Sequence, residues 1–340
     1  MVSDEAAAPS RGSSQVIEMI WGFMASQALH VAAKLAVFDV LREGPKTSDE
    51  IAVASASQER PLRRLLRFLT AVGILTEDAL GRFSSTALGE LLRSDHPQSV
   101  RPLAIMYGEP FWWRSWGDLY ETVKSGRPAF DRVHGEAFFD YLDHCPVDAK
   151  IFNAGMTSST GVDVRAILAA YDFSGFAKVV DVAGGHGGLL RAILESHPAC
   201  SGVLADLPSV VAGATELRDS AIAARCELVG GDFFKSVPAG GAAYILKRIL
   251  HDWNDDEAVS ILQNCRCAMA EGGRVLVIEL VVKPSNQHDP AKWMDLNMLV
   301  MLTGRERTEA EFRELYANAG LQLTRVIPAG RLSIVEGVAA

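Results

Sequence analysis

The chain has 340 residues, 49% of them hydrophobic and 22% charged, with a formal net charge of -9 and a pI near 5.4. That length suits about two domains with a substantial core. The acidic balance argues against nucleic acid as the main partner, and no run of 18 or more apolar residues marks a membrane span. The five cysteines (Cys145, Cys200, Cys226, Cys265, Cys267) are odd in number and scattered, which argues against a disulfide framework and suits a reducing cytoplasm. Cys265 and Cys267 resemble half a metal site. On a helix, however, i and i+2 point to different faces, and no second half follows, so no metal is expected.

Residues 1–14 are small and polar, lack the apolar core of a signal peptide and read as a disordered tail. Residues 15–100 read as a mostly helical, winged-helix-like domain. Its first helix runs from Gln15 to Val40 and is apolar nearly all round, which marks deep core or a subunit interface. Gly44-Pro45 stops it, and Thr47 with Glu50 forms a capping-box pattern before a short helix, Ile51 to Ser55. A basic amphipathic helix, Arg60 to Val72, precedes a strand, turn and strand between Gly73 and Ser85. Arg60, Arg63, Arg64 and Arg67 suit DNA binding, but the acidic chain favours a solvated face in a domain used for dimerisation. Residues 101–165 read as a helical linker and pocket region, rich in aromatic residues able to line a site for a flat ligand.

Residues 166–340 read as α/β. Strands are expected at 178–182, 202–205, 226–229, 243–246 and 274–280, separated by helices, the clearest at 255–269. The alternation implies a parallel sheet with ligands at the carboxyl ends of its strands, where Asp181, Asp206, Asp232, Lys247, His251 and Glu279 fall. A helix from Thr308 to Ala319 and two alternating strands, 321–327 and 332–338, add a terminal antiparallel hairpin.

The stretch Val179 to Leu190 is strand, glycine turn and helix. A dinucleotide fingerprint needs a third glycine where Leu190 stands, so pyrophosphate is disfavoured. Asp181 puts a carboxylate beside the turn, suited to a cationic amino group. Asp206 follows 25 positions later, where a second-strand acid grips ribose hydroxyls. Asp232-Phe233 offers an acceptor beside an aromatic for adenine. S-adenosylmethionine carries all three groups.

Five segments then occur in order: Val179-Val-Asp-Val-Ala-Gly-Gly-His-Gly187, Ala205-Asp-Leu-Pro208, Gly231-Asp-Phe-Phe234, Leu246-Lys-Arg-Ile-Leu-His-Asp-Trp253 and Gly304-Arg-Glu-Arg-Thr308. Together they resemble the signature of the caffeate/hydroxyindole type of small-molecule O-methyltransferases, here of the bacterial natural-product branch. The resemblance spans nearly the whole chain. It implies a Rossmann-like class I methyltransferase sheet, an N-terminal winged-helix dimerisation domain, a homodimer, and a small hydroxylated aromatic acceptor. Ala183, where glycine is frequent, and Arg248 after Lys247 depart from the pattern, and neither puts the resemblance in doubt.

By the resemblance His251 is the catalytic base, flanked and oriented by Glu279 and Glu306. An imidazole is a suitable base for a phenol, and alignment supplies much of the remaining rate. Cofactor contacts are expected from Asp181, Gly184, Gly185, Asp206, Leu207, Gly231, Asp232, Phe233, Asp252, Trp253 and Ser159, with Lys247 near the adenine end beside Asp232. Acceptor contacts are expected from Met156, Trp113, Met294, Asn297, Met298 and Met301. Two competing readings are a related enzyme turned to hydroxylation or decarboxylation, and a winged-helix transcriptional regulator.

Overall fold

The glycine turn closes the first strand of a seven-stranded sheet in the computed structural model, which describes residues 11–218, 221–284, 286 and 288–340. The chain divides after Pro110, and the second unit is Phe111–Ala340. The expected linker region 101–165 is therefore shared between two units. Of the expected tail, residues 11–14 are already helical, and residues 1–10 lie outside the described residues.

The first unit holds helices Arg11–Ile20, Gly22–Lys34, Val37–Val40, Ser48–Ala54 and Glu59–Ala71, with later short helices, and three strands in the order β1-β3-β2. These strands are β1 (Lys46–Thr47), β2 (Leu75–Glu77) and β3 (Arg82–Ser85). The single helix expected over 15–40 is broken at Trp21 and again at Ala36, whose φ of 54° is left-handed. The wing gains β1, a two-residue strand too short to show alternation. The capping box is present: Thr47 N donates to Glu50 Oε2 at 2.7 Å, and Glu50 N donates back to Thr47 Oγ1 at 3.3 Å. Leu62, Leu66 and Leu69 bury one face of the basic helix, while its four arginines face solvent. The first two helices and the break between them expose Met19, Ile20, Trp21 and Phe23, each by more than half.

The second unit's large sheet consists of β4 (Lys178–Val182), β5 (Ser201–Asp206), β6 (Cys226–Gly230), β7 (Gly241–Lys247), β8 (Met269–Glu279), β11 (Leu321–Ala329) and β12 (Leu332–Ala339). A separate parallel pair is β9 (Val281–Val282) with β10 (Arg307–Thr308). The order is β11-β12-β8-β7-β4-β5-β6. Strands β4 to β8 run parallel, and β12 and β11 are antiparallel, as the terminal hairpin requires. The chain winds outward through β5 and β6, then returns to β7 on the other side of β4. That reversal opens a crevice beyond the carboxyl ends of β4 and β7. Period-two alternation splits the core between the faces. Val179 and Ile245 pack with Leu190 and Ile193 on one face. Val180, Tyr244 and Leu246 pack with Ile261, Leu262 and Phe312 on the other. Each such aliphatic burial stabilises by about 1.5–3 kcal/mol, so the crevice rests on a rigid base.

Candidate active site at the carboxyl edge of the sheet

Just after β4 the chain turns sharply. Ala183 is left-handed, with φ 54°, and its N donates to Ala205 O at 2.7 Å. A Cβ at Gly184 would run into the Asp181 carboxylate and come within 2.6 Å of Leu204 Cδ1, so only glycine passes there. Gly185 N donates to Asp206 Oδ2 at 2.8 Å, and Leu207 N donates to Asp206 Oδ1 at 2.7 Å. Asp206 thus fastens the turn from the next strand.

Asp181 is 1% exposed, and its Oδ2 has no hydrogen-bond partner. Burial first, then the charge of Asp206, raises it to about 7. Burial likewise raises Asp206 to about 6. Two crowded carboxyls with one orphaned oxygen fit a cationic ligand, whose charge would offset their repulsion. Beside them lies a cavity of about 190 Å³ lined by Val182, Asp206, Gly231 and Phe233 among others. Asp232 Oδ1 accepts from Phe234 N at 2.9 Å, which leaves its other oxygen toward Lys235 at 3.3 Å. Leu207 is 40% exposed at the same edge. The expected groups for an amino-acid end, a ribose and an adenine therefore share one edge, in the order β4, β5, β6.

Lys247 does not lie beside Asp232. It closes β7, on the opposite side of β4 from Asp206 and Asp232. Its Nζ lies 3.3 Å from Asp163 Oδ2 and donates to Thr160 Oγ1 at 3.2 Å. Burial lowers it to about 8. From the hairpin turn, Arg331 donates to Asp163 Oδ1 at 2.7 Å and to Ser159 Oγ at 2.9 Å. Asp163 and Arg331 are absent from the sequence reading. Asp163 sits one helical turn beyond Ser159 on the long helix Pro146–Ala170, and that spacing is the only local signal for it. This network ties the helix that carries Met156 and Ser159 to the sheet.

His251 follows β7 in a short 3-10 turn, Leu250–Asp252. It is 4% exposed, and its Nδ1 lies 2.7 Å from Glu306 Oε1. Its Nε2 lies 3.4 Å from Asp252 Oδ1. Glu279 holds His251 by its main chain and not by its imidazole. Its Oε1 accepts instead from the main-chain N of Ile249 and of His251, both at 3.1 Å. Buried Arg307 locks the same turn by donating to Leu250 O at 2.8 Å, Trp253 O at 2.9 Å and Asp255 Oδ1 at 2.8 Å. A Cβ at Gly304 would strike the main chain from His251 to Trp253, which explains that glycine. Burial lowers His251 below its ordinary value and raises Glu306 and Glu279; it also raises Asp252, to about 6.

Trp253 stacks on Phe139 at 5.5 Å and meets the edges of Phe233 and Phe234. Phe139 therefore reaches the same edge as Phe233. On helix Pro290–Met301, Met298 is 4% exposed and Met301 is fully buried. Asn297 is buried too, accepting from Trp116 Nε1 at 3.3 Å, and Met294 packs half-buried beside the sheet. Met156 and Trp113 keep partly open side chains. Among the described residues no group of three or more His, Cys, Asp or Glu is arranged to hold a metal ion.

Comparison with known proteins matches two family profiles. One, an O-methyltransferase domain, covers residues 116–322; the other, an O-methyltransferase dimerisation domain, covers residues 17–95. A phenazine O-methyltransferase of Lysobacter antibioticus is 43% identical over 326 residues, covering 95% of this chain and 95% of the relative. The crystal structure of LaPhzM superposes with a TM-score of 0.93 at 42% identity, covering 97% of this chain and 100% of that one. NcsB1, an O-methyltransferase from neocarzinostatin biosynthesis, was solved with S-adenosylmethionine and 2-hydroxy-5-methyl naphthoic acid. It matches with a TM-score of 0.79 at 38% identity, covering 93% of this chain and 96% of that chain.

Proposed function

Because this chain belongs to the S-adenosylmethionine-dependent O-methyltransferases with an N-terminal dimerisation domain, we propose that it methylates a phenolic hydroxyl of a small aromatic natural product, with His251 as general base, in a homodimer. The observation that carries this reading is the buried 2.7 Å contact between His251 Nδ1 and Glu306 Oε1. With Nδ1–H donated to Glu306, Nε2 carries the lone pair, 3.4 Å from Asp252 Oδ1, and burial disfavours the charged ring. Nε2 would take the hydroxyl proton as the oxygen bonds to the methyl, whose bond to sulfur breaks to leave a neutral thioether, and the Glu306 carboxylate would stabilise the imidazolium.

When bound, S-adenosylmethionine supplies an electrophilic methyl on a sulfonium. Asp206 would hold its ribose, and the orphaned oxygen of Asp181 would receive its positive end. Phe233 and Asp232 would meet the adenine. Glu279 and Arg307 fix the main chain of the His251 turn, so the base is positioned before the acceptor arrives. Trp113, Met156 and Met294, which are not fully buried, would meet the acceptor. The exposed apolar residues of the first two helices support self-association.

Incubation with S-adenosylmethionine and a panel of phenols and aromatic amines, followed by mass spectrometry, tests the reading. A methyl gained on oxygen is expected. Hydroxylated or decarboxylated products, methylation of amines alone, or no product would refute it.

A further inference from the structure

We propose that Arg248 recognises an anion on the acceptor, so that the preferred substrates are hydroxylated aromatics carrying a carboxylate next to the hydroxyl that is methylated. The inference rests on the reading above and names its substrate class.

Arg248 stands three residues before His251 in a left-handed conformation, with φ 57°, that few side chains adopt. Its main chain is anchored to β8, with N donating to Ile278 O at 3.0 Å. Its Nε is buried and has no hydrogen-bond partner. Among the described residues no carboxylate lies within ion-pair distance of it, although its charge bears on the protonation of Glu306, Asp252 and His251. The contrast with Arg307 is direct. Arg307 braces the same turn and spends its guanidinium on Leu250 O, Trp253 O and Asp255. Arg248 is a partly exposed cation near the base whose Nε is buried and unspent.

A buried guanidinium N–H left unpaired is costly, and burial of this kind is resolved when a ligand supplies the acceptor. The planar fork of arginine matches a carboxylate with two parallel hydrogen bonds. Charge argues the same way. Alone, Arg248 disfavours a proton on His251. A carboxylate bound to Arg248 cancels that field when the imidazolium must form. It also draws the carboxylate away from its internal hydrogen bond with the neighbouring hydroxyl, which frees that proton for Nε2.

The test is affinity for the S-adenosylhomocysteine-loaded enzyme, by calorimetry, of matched pairs such as 1-hydroxy-2-naphthoate against 1-naphthol, with benzene and phenazine equivalents. One charge-assisted hydrogen bond predicts a preference of about 10- to 100-fold for the acid in wild type. Arg248→Gln should abolish the preference, and Arg248→Lys should recover part of it, which a distorted site would not. No preference for the acid in any pair, or a preference that survives Arg248→Gln, overturns the assignment. If the preference behaves as expected but no methyl reaches oxygen in any acceptor, the methyl-transfer reading fails and the anion site stands.

Discussion

His251 and Glu306 meet at 2.7 Å across 55 residues of sequence, both buried, at the mouth of a crevice made by strand order alone. Burial disfavours charge on both partners, lowering the histidine and raising the acid. A histidine with a lowered value stays neutral until the pH falls further than usual. The acid limb of kcat/KM should therefore lie below the ordinary histidine value of about 6.5. Glu306→Gln removes the carboxylate that favours the imidazolium, so it should push that limb to still lower pH and reduce kcat by at least about tenfold. A pH–rate profile of both enzymes is the measurement, and coincident profiles would count against the pairing.

Glu279 works through the backbone, which separates it from Glu306. Glu279→Ala strands one buried and one partly buried N–H group, at about 1–3 kcal/mol for the buried one, and should lower the melting temperature markedly. Glu279→Gln keeps an acceptor and should melt close to wild type. Equal melting of the two variants would contradict a main-chain role.

Asp181 and Asp206 hold protons more tightly than unfolded aspartates, whose value is about 3.9. The native state therefore binds more protons in the window from about 4 to about 7, and the stability of the free protein should fall as pH rises through it. A bound cation draws both values back down. Near pH 7, cofactor binding should release protons, seen as a binding enthalpy that changes with buffer ionisation heat. Asp181→Asn should remove most of that dependence. Asp206→Ala should weaken cofactor affinity about 10-fold or more, since it loses a ribose contact and unfastens Gly185. Unaltered affinity would refute the ribose role.

Met19 and Phe23 expose 71% and 55% of their surfaces on the first two helices. Replacing both with lysine should convert a dimer to a monomer by light scattering. A wild-type monomer, or a dimer that survives the double change, would remove the proposed interface.

Much of this was legible in the chain. The β-branched run of Val179, Val180 and Val182 announces a buried strand, and the failed glycine at Leu190 turns the site from pyrophosphate. Long-range pairings were not legible, because local periodicity carries no information about them. Arg331 and Asp163 meet across 168 residues, and nothing near either one signals the other. Lys247 was misplaced for the same reason: proximity to Asp232 depends on strand order, and β4 and β5 separate their strands. That Glu279 holds His251 by its main chain and not by its ring is visible only in three dimensions, since the sequence does not say which group a carboxylate accepts from. Arg248 looked incidental, because a left-handed arginine with an unpaired Nε is visible only in three dimensions.

The base assignment is tested most directly by His251→Ala, with kcat and S-adenosylhomocysteine affinity measured on the same preparation. The account predicts affinity within about twofold of wild type, well inside the tenfold that 1.4 kcal/mol represents. It predicts turnover lower by about 10²- to 10⁴-fold. Turnover equal to wild type would contradict it.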